Sequence, residues 1–118
     1  MSWPSEKFNL EQIRQISEGD HEFEDDLMES YKTELDELLT KLEPELKLGQ
    51  NHADCVRLAH DIKGSSANVG AEGVREVGKV MEELARDGKY DEVLVLLPKV
   101  RQEFEEFCKI WDDYKRTW

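Results

Sequence analysis

The chain has 118 residues, 37% of them charged and 38% hydrophobic, with a formal net charge of -12. That length suits a single domain over residues 1–118 with one core, and so acidic a surface repels nucleic acid and anionic lipid, which leaves proteins as the expected partners. The longest apolar run, Val93-Leu94-Val95-Leu96-Leu97, is too short for membrane insertion, and residues 1–7 lack the apolar core of a signal peptide, so the chain reads as cytoplasmic, or as a cytoplasmic piece of a larger protein.

Helical periodicity runs through most of the sequence, with no strand pattern. A short first helix is expected over residues 10–18. Asn9 is its N-cap, Gln12 is placed to complete a capping box, and Gly19-Asp20 ends it. The second helix, over residues 21–43, carries Phe23, Leu27, Tyr31, Leu35, Leu38 and Leu42 at spacings of three and four, one apolar stripe. Pro44 should kink or end it, with a further turn through Leu46 before Gly49. The third starts after Asn51, turns Cys55, Ala59, Ile62, Ser66 and Val69 inward, and stops at Gly70. A fourth, over residues 72–87, faces inward with Val74, Val77, Met81 and Leu84. The fifth, from about residue 91, carries Val93, Leu97, Val100, Phe104, Phe107, Trp111 and Tyr114, and Pro98 inside it predicts a kink or a fresh start.

Short links around Gly49, Gly70 and Gly88 force successive helices to run antiparallel. The expected fold is all-α, an antiparallel up-down-up-down four-helix bundle with the short N-terminal helix capping one end. A monomer is expected. Cys55 and Cys108 fit no metal-ligand spacing and no disulfide framework, so they read as inert inward thiols.

The informative segment is His60-Asp61-Ile62-Lys63-Gly64-Ser65-Ser66-Ala67-Asn68-Val69-Gly70. At about 100° per residue, His60, Lys63, Gly64 and Ala67 share one sector of the third helix, beside its inward stripe. His60 should therefore stand partly exposed at the bundle edge. Gly64 one turn later costs helix stability, roughly 1 kcal/mol against alanine, and removes a side chain where something must approach. Lys63 supplies a cation to meet an anion in an otherwise acidic protein. Other readings fall away. The glycine spacing of a P-loop is missing, no strand precedes the glycines of Val69-Gly70-Ala71-Glu72-Gly73, and His52 and His60 have no third zinc ligand in register. No acid–base partner is placed for Ser65 or Ser66, which read as small packing residues, Ser66 bonding back to its helix. His21, His52 and the runs of acids read as ordinary surface.

His60 with Lys63, Gly64, Ser65, Ser66 and the later Gly70 resembles the signature of histidine-containing phosphotransfer domains. The opening Phe8-Asn9 helix, the Gly19-Asp20 turn and the final helix with Pro98 extend the likeness along nearly the whole chain. The resemblance implies a phosphocarrier in a two-component phosphorelay, without autonomous kinase activity. His60 would take a phosphoryl group on Nε2 from a receiver-domain aspartate and pass it to another receiver. Lys63 would stabilise charge on the phosphoryl oxygens, and Gly64 would give access. The partners would be response-regulator receiver domains and a hybrid sensor histidine kinase. No cofactor of its own is implied, because the magnesium ion would sit on the receiver. In several members a glutamine on the next helix bonds Nδ1 of the active histidine. The matching position here is Glu82, either an acceptor for Nδ1–H or one more solvated acid beside Glu83. For receiver docking, an apolar patch is expected from Val56 and Ala67 flanking His60, with Ile13 or Ile16 and Leu27 or Met28. The competing reading is a helical adaptor or kinase inhibitor that works without phosphorylation, for which the Lys63-Gly64 pair would be unnecessary.

Overall fold

The computed structural model describes residues 6–118, so most of the opening stretch considered for a signal peptide lies outside the described residues. Five helices follow in order: α1 (Leu10–Ser17), α2 (His21–Leu48), α3 (His52–Asn68), α4 (Glu72–Arg86) and α5 (Tyr90–Lys115). The long helices pack in a ring, α2 on α3, α3 on α4, α4 on α5 and α5 back on α2, while α1 lies against α2. No helix among the described residues is long and apolar enough to cross a membrane.

Three of the starts are side-chain caps that relieve unsatisfied N–H groups. Asn9, Asp20 and Asn51 accept from the backbone of Gln12, Phe23 and Asp54. The return half of the expected capping box is not formed, since the Asn9 N–H donates to the Gly70 carbonyl at 2.8 Å. That bond fastens the chain ahead of α1 to the α3–α4 turn, where Phe8 and Ala71 also form a bridge. Gly70 is suited to the contact. Its φ is +74°, and a β-carbon there would strike the Asn9 carbonyl.

The stripes of α3 and α5 are buried as read, except that Phe104 is half-buried; Leu58 and Glu103 join the interior. In α4, Val74 and Met81 are buried, Val77 and Leu84 are half-buried, and Gly78, Glu82 and Ala85 are buried as well. Neither helix-internal proline ends its helix, and the expected further turn through Leu46 is present. α2 runs through Pro44 to Leu48, and α5 is one helix through Pro98. Each proline is exposed, so its ring and missing hydrogen bond fall on the solvent side. At the start of α2 the stripe is rotated by one residue. Phe23 is exposed and Leu27 half-buried, while Glu24 and Met28 are fully buried. The Glu24 carboxylate earns its place by accepting from the Ser17 hydroxyl at 2.6 Å and the Tyr114 hydroxyl at 2.9 Å. Ile13 and Met28 are thus core residues, not docking residues. Cys55 is buried and Cys108 half-buried, and burial pushes both thiols up.

Candidate functional site

Helix contact between α3 and α4 is close because Gly78 has no side chain. A β-carbon there would lie 3.1 Å from the backbone N and Cα of Lys63. The two helices are antiparallel neighbours. One turn beyond Gly78 on α4 is Glu82, and one turn before Lys63 on α3 is His60, so the contact sets those two side chains opposite each other.

Nδ1 of His60 lies 3.1 and 3.2 Å from the two carboxylate oxygens of Glu82. Two cations reach the same carboxylate: Lys63 Nζ at 2.7 Å from Oε1, and Arg86 Nη2 at 2.7 Å from Oε2. The Glu82 side chain is only 7% exposed, whereas that of His60 is 55% exposed. Burial by itself pushes the Glu82 carboxyl up, but the hydrogen bonds from Lys63, Arg86 and His60 outweigh it and hold it at about 2. An ionised carboxylate only accepts, so Nδ1 must carry the proton that it shares with Glu82. In the neutral ring it is then Nε2, on the far side, that keeps the free lone pair. The arrangement supplies an exposed nitrogen nucleophile whose ring is fixed in orientation and tautomer.

Glu82 is therefore no solvated acid, and the open choice at this position resolves to a buried acceptor. Lys63 is engaged with Glu82 rather than standing free. Gly64 faces open space, with nothing within 4 Å of the position a β-carbon would take. Val56, His60, Lys63 and Ala67, at spacings of four, three and four, line one face of α3, and Val56 and Ala67 are half-buried. Ile16 is 43% exposed and Leu27 half-buried. Ser66 departs from expectation, bonding the Tyr31 hydroxyl across the core at 2.7 Å instead of its own helix. Ser65 donates to Glu34 at 2.8 Å.

A shallow concavity opens in front of His60, lined by His52, Ala53, Val56, Arg57, His60 and Arg86. Arg57, Arg86 and Gly78 did not figure in the reading of the sequence. Arg57 stands one turn before His60, Arg86 one turn after Glu82 and Gly78 one turn before it, so counting turns from those two residues would have found all three. The other histidines are occupied elsewhere: His52 Nδ1 meets the Tyr90 hydroxyl at 2.6 Å, and His21 stacks on Trp118. Among the described residues, no group of three or more His, Cys, Asp or Glu is placed to hold a metal ion.

The family model of the Hpt domain matches residues 26–109. The chain is 32% identical over 115 residues to the phosphorelay intermediate protein rdeA of Dictyostelium discoideum, covering 98% of this chain and 45% of that protein. It thus spans about half the length of that curated relative. Among solved structures it is similar to histidine-containing phosphotransfer protein B from Pseudomonas aeruginosa PAO1, with a TM-score of 0.82, 22% identity and 99% of both chains covered. At that identity the likeness speaks for the fold alone.

Proposed function

The chain belongs to the Hpt domain family, and from that premise we propose that it is a phosphorelay intermediate that carries a phosphoryl group on His60. The observation that carries this reading is the His60–Glu82 pair: an exposed ring whose Nδ1–H is held by a buried carboxylate, so that Nε2 faces outward as the nucleophile. The Nε2 lone pair would attack the phosphorus of an acyl phosphate on a receiver aspartate. The Nε2–P bond forms, the P–O bond to the aspartate breaks, and the carboxylate leaves with that electron pair. The reverse sequence on a second receiver would complete the relay. The chain carries the group and does not draw it from ATP. Positioning and charge neutralisation dominate such transfers, and the magnesium ion would be brought by the receiver. Lys63 and Arg86, each 2.7 Å from Glu82, would also bias the phosphoryl oxygens.

A hybrid sensor histidine kinase upstream, receivers on either side, cytoplasmic residence and a monomeric state belong to the same proposal. Gly64 would leave room for the receiver. Val56 and Ala67, with Ile16 and Leu27, would give the apolar contact, since a chain of -12 gains little from long-range attraction to an acidic partner.

Incubation with a phosphorylated receiver domain should place an acid-labile, alkali-stable label on the chain, and His60→Gln should fold normally yet take none. Label retained on His21 or His52 in that variant would end the assignment. Val56→Glu should weaken receiver binding while nearly keeping the helical circular dichroism and melting temperature. Undiminished binding would move the docking face elsewhere.

A further inference from the structure

The acceptor opposite Nδ1 is a carboxylate, and the fold neutralises it with two cations, Lys63 and Arg86. An amide would accept the same proton without the charge. That charge matters once a phosphoryl group is on Nε2. Attack by Nε2 leaves the Nδ1 proton in place, so the phosphorylated ring is a cation. In onward transfer a receiver carboxylate oxygen bonds to phosphorus, the Nε2–P bond breaks, and its electron pair returns to Nε2. With Nδ1 protonated, the group that leaves is neutral imidazole. With Nδ1 bare, it would be an imidazolate anion, a far poorer leaving group. The Nδ1 proton thus decides whether the phosphohistidine is transferable.

We infer that Glu82 is a positioning residue that keeps this proton on the phosphorylated His60 ring, so that the phosphoryl group stays transferable into alkaline pH. The inference rests on the phosphocarrier reading above. The charged and titratable groups around the ring are Lys63, Arg57, Asp61 and His52 on α3, and Glu82 and Arg86 on α4. Arg57 and Asp61 pair with each other at 3.5 Å, Arg57 exposed and Asp61 half-buried but still reached by water, so solvent screens them. Glu82 is the buried member, and its charge acts on the ring with least screening. Lys63 and Arg86 repel a ring cation. With the carboxylate neutralised, their repulsion would remain, and the proton would leave at lower pH. An opposite charge within ~4–6 Å moves such a midpoint by about 1–3 units.

The test is to phosphorylate the full chain and its Glu82→Gln variant with phosphoramidate, then follow the 15N shifts of Nδ1 and Nε2 against pH. Onward transfer to a receiver domain is timed over the same range. The wild type should keep Nδ1–H to a midpoint about one pH unit or more above that of Glu82→Gln, and transfer should fall off at the corresponding midpoints. Lys63→Met, which removes a repelling cation, should move the midpoint upward. Equal midpoints in wild type and Glu82→Gln overturn the inference. If Glu82→Gln does not fold, an unmoved or lowered midpoint in Lys63→Met overturns it. A wild-type chain that takes no phosphoryl group on His60 overturns the phosphocarrier reading itself, a different result from equal midpoints.

Discussion

Glu82 ties the chemistry of the site to the stability of the fold. Its carboxyl is held at about 2 against an ordinary 4.5, with burial opposing and the bonds from Lys63, Arg86 and His60 prevailing. On acidification the unfolded chain takes up this proton first. The stability contributed by the ionised group is therefore fully present above about 4.5 and is lost as pH falls through about 2. Glu82→Gln should be less stable than wild type in urea denaturation at pH 7, and the gap should narrow as pH falls from about 4.5 towards 2. A gap independent of pH would show that the charge is not held by its cations. The position of the residue was legible through the family resemblance, but its burial was not. Hydrophobic periodicity assigns acids to the outside, and both Glu82 and Glu24 are inside because specific donors meet them there.

Two glycines in facing helices show how element packing, not residue type, sets the effect of a substitution. Gly64 on α3 looks onto open space, and Gly78 on α4 is pressed against the Lys63 backbone. In a helix interior alanine is favoured over glycine by roughly 1 kcal/mol. Gly64→Ala should realise that gain. Gly78→Ala must push α3 and α4 apart by a few tenths of an ångström, and overpacking of that kind costs about 1–3 kcal/mol, enough to reverse the sign. Thermal melts should therefore rise for Gly64→Ala and fall for Gly78→Ala. A bulkier Gly64→Gln should keep the fold while slowing transfer from a receiver. A stabilised Gly78→Ala would mean the helices separate freely and do not fix the His60–Glu82 distance. From the sequence, the existence and order of all five helices and the faces of α3 and α5 were readable, because their stripes have one apolar solution. The phase of α2 was not. Residues 23 and 27 and residues 24 and 28 give stripes of equal spacing, and only the partners of Glu24 in α1 and α5 choose between them. The continuity of α2 and α5 through proline was likewise decided by exposure of Pro44 and Pro98, which one-dimensional patterning does not report.

At the scale of the molecule, the helices are of unequal length, and that divides the bundle into a working half and a closed end. At 1.5 Å per residue, α2 and α5 are about 42 and 39 Å long, and α3 is about 25 Å. The start of α2 and the end of α5 therefore run on past the α3–α4 turn at Gly70, leaving an apolar surface with no helix pair to cover it. The N-terminal segment covers it. Phe8 is fully buried, with its ring centroid 5.6 Å from Phe107, 6.1 Å from Trp111 and 5.7 Å from Tyr114. Lys7 reaches the nearly buried Glu103 carboxylate at 2.7 Å. His60 lies in the other half, about 12 Å along α3 from its C-terminal residue Asn68 at the same rise. Phe8→Ala leaves a large cavity among those rings, which for a buried phenylalanine costs about 3–5 kcal/mol. For a domain of this size that is a fall in melting temperature on the order of 10–20 °C. The site should be untouched below the transition, because the contact that places it, Gly78 on Lys63, involves neither α1 nor the aromatic end. The 15N signature of Nδ1–H in His60 should match the wild type at 20 °C. An altered signature with the fold intact would couple the two ends, with the Asn9–Gly70 bond at the tip of α3 as the connecting contact.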